Sequence, residues 1–235
     1  MKKDNSLVVN QENTVVEYGT HGANFAQMLA EELDGLPLSF DRIKIPAGGG
    51  IMWELPSDNP DDPDMAKEFK GVIVYHHPIH VHYKDKYTGG NTPPDCSSTD
   101  GKVGIDAEGE IQECRDCAHS EFGSGDDGVG KACKQKRRIY ILRENEVFPL
   151  LLTLPTMSLG DYGKFVARLL SKGKKSSGVV TRFSLKKAQN AGGITYSQVV
   201  CTVERNLTPE EQNAVTSIAE QVKKIAGKMR VANED

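Results

Sequence analysis

Apolar positions along the chain follow two rhythms. Phe25, Met28, Leu29 and Leu33 recur at helical spacing and predict a short helix over residues 24–33, stopped by Gly35 and Pro37. Leu159, Tyr162, Phe165, Val166, Leu169 and Leu170 form a second amphipathic stripe, with Ser158 as its expected N-cap and Gly173 as its stop. Thr208 and Glu211 spell a capping box for a last helix through about Met229. Strand patterns fill the ground between. Runs 42–45 and 51–55 flank Pro46-Ala47-Gly48-Gly49-Gly50, whose three glycines predict a sharp bend or a close backbone approach to a ligand. Run 71–75 is β-branched and reads as a buried strand. Runs 136–142 and 147–154 read as one hairpin, and runs 178–187 and 194–204 as another turning at Gly192-Gly193.

Five to seven short antiparallel strands with one interposed helix predict a mainly β (α+β) fold with flanking helices, an OB-like antiparallel barrel. Residues 1–40 form a polar lead-in and the short helix, and residues 41–204 the barrel domain. A zinc-ribbon-like insertion falls at about 88–136, and residues 205–235 are the last helix and a short acidic tail. No apolar run reaches the length of a membrane span, and Met1-Lys2-Lys3-Asp4 leads into no apolar signal region. The expected setting is the cytoplasm of a bacterial host cell, with no membrane partner.

Charge changes the picture more than composition does. The net charge of −4 hides a block, residues 131–187, with fourteen Lys/Arg against three acidic residues, a local balance of +11. The remainder carries −15. A basic block in an acidic chain predicts a surface for nucleic acid. Unpaired strands need cations along the backbone and aromatic faces for the bases. Arg137, Arg138, Lys172, Lys174, Lys175, Lys186 and Lys187 are the expected phosphate contacts. Trp53, Tyr83, Tyr87 and Tyr140 are the expected stacking rings, while Tyr162 and Phe165 read as helix core.

Between the three early strand segments and the first hairpin lie Cys96, Cys114, Cys117 and Cys133. Cys114-Arg115-Asp116-Cys117 is a knuckle that can place two thiolates on one ion, and Cys96 and Cys133 can complete a tetrahedron. The segment is rich in glycine and poor in apolar side chains, so a structural Zn2+ would order what burial cannot. Cys201, in an apolar run, reads as core. Gly125-Asp126-Asp127-Gly128-Val129-Gly130-Lys131 imitates a phosphate-binding loop, but Ala132 follows where a hydroxyl is needed and no strand leads in. His76, His80 and His82 share one face of a strand and His77 takes the other; His80 and His82 are expected to stack or hydrogen-bond on the binding face.

Several stretches, among them 45–49, 76–78, 93–101, 122–124, 130–134 and 138–142, resemble a largely uncharacterised family from prophages and conjugative elements. That architecture is similar to phage helix-destabilising single-stranded DNA-binding proteins. The resemblance implies a role in replication or recombination, with zinc ordering part of the DNA-binding domain and an acidic tail recruiting partners. The chain departs from that pattern in its four-cysteine metal set and in a tail with only two terminal carboxylates. The expected function is therefore non-enzymatic: a single-stranded DNA-binding protein of a phage or mobile element, with replication or recombination proteins as further partners. Two alternatives remain open at this point. One is a metal-dependent nuclease using His76, His77, His80 and His82 with Asp95 or Asp100. The other is a zinc-ribbon regulator that binds double-stranded nucleic acid.

Overall fold

The central strand is fifteen residues long, Glu68–His82, and is β4 in chain order after β1 (Arg42–Ile43), β2 (Trp53–Leu55) and β3 (Asp64–Ala66). The structure is a computed structural model that describes residues 18–19, 25–85, 92–126, 128–190, 192–227 and 229. Along one edge β4 pairs with β8 (Lys134–Leu142). Its other edge is shared: β10 (Val179–Gln189) takes residues 68–72 and β5 (Cys96–Ser98) takes residues 80–82. Residues 73–79 thus have a ladder on one side only. Pro78, which lacks a donor, falls in that stretch without breaking the strand.

From β8 the sheet continues through β9 (Leu150–Leu154) to β1, and the β1–β9 pair is parallel. From β5 it continues through β6 (Val103–Asp106) and β7 (Ile111–Glu113). The hairpin of β10 and β11 (Thr195–Asn206) completes nine strands, while β2 and β3 form a separate pair. Two sequence expectations are corrected here. The sheet is mixed and open, because β1 ladders only to β9 and β11 only to β10 among the described residues, so no closed barrel forms. The cysteine segment is not a detached ribbon either; β5–β7 extend the main sheet.

Helices cover both faces, which is why the β8 run Ile139–Leu142 is continuously apolar rather than alternating. Ile139 and Ile141 pack with Trp53, Phe69, Phe183 and, from α2 (Thr156–Leu170), Tyr162, Phe165 and Leu169. Tyr140 and Leu142 turn the other way, onto Phe40, Leu151 and, from α3 (Pro209–Ala226), Val215, Ile218 and Val222. Each such buried side chain contributes about 1.5–3 kcal/mol. The first helix, α1 (Phe25–Leu33), lies where its periodicity put it. The capping box forms: Thr208 Oγ1 accepts from the Glu211 amide at 3.3 Å, and Glu211 accepts from the Thr208 amide at 2.9 Å. Ser158 is not a cap. The helix starts earlier, after Pro155, and Ser158 is buried with its Oγ accepting from the Val199 amide at 3.2 Å. Cys201 is core. No helix among the described residues is long and apolar enough to cross a membrane. The lead-in at 1–17 and the acidic tail at 230–235 lie outside the described residues.

Candidate metal centre and nucleic-acid interface

The sheet brings the four spaced cysteines to one cavity of about 140 Å3, walled also by His80, His82 and His119. Register explains the meeting. Cys96 on β5 stands opposite His82 on β4, and Val81 stands opposite Lys134, which puts Cys133 beside His82 on the other flank. Cys114 leaves the end of β7, its amide donating to the Lys102 carbonyl at 2.8 Å, and Cys117 closes the knuckle three residues on. Gly104 makes the convergence sterically feasible: a Cβ there would stand 3.0 Å from Cys96 Sγ and 3.6 Å from Cys114 Sγ.

Burial pushes the Cys133 thiol up to about 11, and the neighbouring Cys114, Cys117 and Cys96 add to the rise against a hydrogen bond from Ser120. Burial, then the other sulfurs, also raises Cys96, and burial raises Cys114. Metal-free thiols so placed stay protonated at neutral pH, so an ion must displace protons to bind. Among the described residues no three donors are already set as a metal cluster. The donor set nevertheless fits zinc: four soft ligands around one small cavity, and a His80 Nδ1 that is buried there with no hydrogen-bond partner among the described residues.

The histidines divide as strand alternation requires. His76 faces α2, where its ring meets Tyr162 edge-on and Arg137 donates to its Nδ1. His77 lies on the opposite face, hydrogen-bonded through Nδ1 to the Thr99 carbonyl at 2.7 Å and stacked near Tyr140. His82 stacks on His119 with ring centroids 4.0 Å apart. Asp100 is engaged in its own turn, accepting from Lys102, Val103 and Ser98, and Asp95 accepts from the Lys84 amide. Of the residues considered for a nuclease, His76 and His77 are thus set apart on opposite faces, while His80, His82 and Asp95 line the cysteine cavity.

Several expected nucleic-acid contacts are corrected. Trp53 and Tyr140 are both 0% exposed, so neither offers a face to a base. Trp53 meets Phe69 edge-on at 5.1 Å, and Tyr140 meets Phe40 in the same way at 5.0 Å. Arg138, 1% exposed, is also interior, and His82 is buried at the cavity wall. Tyr83 is half-buried against Ile79 and Val81, and Tyr87 lies outside the described residues. Lys172, Lys175, Lys186 and Lys187 are exposed as expected; Lys174 is half-buried and donates to Asn206 at 2.7 Å. Carboxylates from outside the basic block, Glu68 and Glu204, and Asp161 from within it temper its charge. Arg182 pairs with Glu68 at 2.8 Å and Glu204 at 2.6 Å, and Lys186 with Asp161 at 3.3 Å.

A second feature was not singled out in the sequence. A groove of about 580 Å3 runs beneath the Pro46–Gly48 turn, between β1 and β11, and carries Arg42, Lys44, Lys136 and Tyr196. The glycine run pointed to the right turn for a different reason. Gly48 and Gly49 have φ of 66° and 82°, and a Cβ on Gly49 would come within 2.5 Å of Thr195 Cγ2. The close approach is to β11.

Compared with known proteins, the chain matches no family model, no curated protein and no solved structure.

Proposed function

We propose that this chain is a non-enzymatic protein that binds single-stranded DNA and whose cysteine segment is ordered by zinc. Cys96, Cys114, Cys117 and Cys133 would hold the ion, which would cross-link the end of β7 to the strands on either side of His82. One observation carries the reading: the four-thiol cavity sits at the root of β8, and that strand passes directly from Cys133 into Lys134, Lys136 and Arg137. A metal there would stiffen the strand that starts the basic block. The open sheet, the surplus of +11 and the exposed lysines after α2 support a backbone-directed, sequence-tolerant mode of binding. The resemblance to prophage and conjugative-element proteins is the ground for a role in replication or recombination.

The test is a competition between labelled single-stranded and double-stranded oligonucleotides for the purified full chain, with and without added Mg2+ or Mn2+, and with zinc quantified in the same sample. The reading expects preference for the single strand, intact strands throughout and about one zinc per chain. Preference for duplex, cleavage products, or a folded zinc-free protein would overturn it.

A further inference from the structure

The seam between β1 and β11 is bridged without being laddered. Ser197 Oγ on β11 donates to the Pro46 carbonyl at 2.6 Å, and no strand pairing joins the two edges among the described residues. What remains is the groove of about 580 Å3, whose floor includes Leu151 and Thr153 of β9. Its charge is one-sided. Among the described residues that line it, Arg42, Lys44 and Lys136 are cationic and Glu54 is acidic, and Glu54 meets Lys44 at 3.8 Å with the lysine side chain 63% exposed. An exposed pair of that kind leaves its cation available to another anion.

Strand pairing explains why two of these cations stand together. Arg42 is opposite Leu151 on β9, Tyr140 is opposite Leu151 on the other side, and Lys136 shares the Tyr140 face of β8 by alternation. Tyr196 adds a half-buried ring to the wall formed by β11. Spaced cations beside an aromatic face match the two demands of an unpaired strand, phosphate neutralisation and base stacking. A duplex keeps its bases inside and cannot present a ring to a seam.

We infer that the β1–β11 seam is the path of the bound strand, with phosphates on Arg42, Lys44 and Lys136 and a base against Tyr196. The inference rests on the single-stranded DNA reading and assigns its site. The test compares the wild-type full chain with K44E/K136E, the milder K44Q/K136Q, and K172E/K175E on the exposed segment after α2, using fluorescence anisotropy with a single-stranded oligonucleotide. Ultraviolet cross-linking of the wild-type complex, followed by peptide mass spectrometry, provides a readout independent of the variants. The seam variants should bind roughly tenfold more weakly or worse, with a salt slope smaller by about one to two; K172E/K175E should change less, and the cross-linked peptide should contain Tyr196. Wild-type binding with unaltered K44Q/K136Q affinity and cross-links away from Tyr196 overturns the seam while leaving the function standing. A wild-type chain that binds no strand overturns both.

Discussion

His82 and Cys96 are direct cross-strand partners on β4 and β5, so the imidazole and the thiol leave the sheet on the same face. Cys133 flanks His82 from the β8 side, and the Cys114–Cys117 knuckle closes over Gly104. Two of the four thiols are thus positioned by sheet register and two by a loop that has little apolar content of its own. Replacing Cys114 and Cys117 together with Ser should release the metal and loosen residues 100–130 while the β4–β8–β9 sheet stays folded. Hydrogen exchange read alongside zinc content checks this. Unchanged protection over that segment in the zinc-free variant would contradict the role given to the ion.

Gly104 allows the same idea to be probed without removing a donor. A valine there would crowd Cys96 Sγ and Cys114 Sγ, which already lie 3.0 and 3.6 Å from the position of an added Cβ. Gly104→Val should lower zinc affinity by about 10–100-fold, the scale seen when groups supporting ligands are disturbed. Competition with a chromogenic chelator measures it, and wild-type affinity would refute the steric claim.

Much of the framework was legible because local chemistry decides it. The Thr208–Glu211 box, the stripe from Leu159 to Leu170 and the two hairpins need only near neighbours in sequence, and each formed within a few residues of its expected place. Non-local matters were less legible. Trp53 and Tyr140 stand in apolar runs, 51–55 and 139–142, which are compatible with a half-buried or a fully buried strand, and the packing of Phe69 and Phe40 on them shows that they are core. Closure of a barrel depends on whether β1 meets β11, a contact between residues about 150 apart, and there a side-chain bond from Ser197 stands where a ladder was expected. The seam groove was missed for the same reason: Arg42, Lys136 and Tyr196 are far apart in the chain and become neighbours only through register.

Acid should weaken the fold through His76. Burial first, then the charges of Arg137 and His77, hold its pKa at about 4 against an ordinary 6.5. Arg137 also donates to Nδ1, which requires that nitrogen to be unprotonated. Because the folded value is the lower one, the unfolded chain takes up the proton first as pH falls. The contribution is complete above pH 6.5 and is lost progressively towards pH 4; the loss has reached about 2 kcal/mol at pH 5. Urea midpoints at neutral pH and at pH 5 should show a smaller acid loss for His76→Asn than for the wild type; equal losses would rule His76 out as the source.

The C-terminal helix is anchored by a buried carboxylate. Glu211, 0% exposed, receives Arg205 through two bonds of 2.7 and 2.8 Å as well as the Thr208 amide. Thr208→Ala should cost about 1 kcal/mol. Glu211→Ala should cost more, about 1.5–3 kcal/mol, because it removes the charged acceptor of both the half-exposed Arg205 guanidinium and the Thr208 amide. Chemical denaturation ranks the two, and an equal or reversed order would contradict the anchoring role.

The central claim, that this sheet grips unpaired DNA through its backbone, is tested most directly by one titration. The full-length, zinc-loaded protein is titrated with a labelled single-stranded oligonucleotide at about 50 and 200 mM salt. Three phosphate contacts give a salt slope of about −2 and a loss of affinity of roughly tenfold or more between the two conditions. Affinity that is absent at the lower salt, or that does not change between the two, contradicts the account.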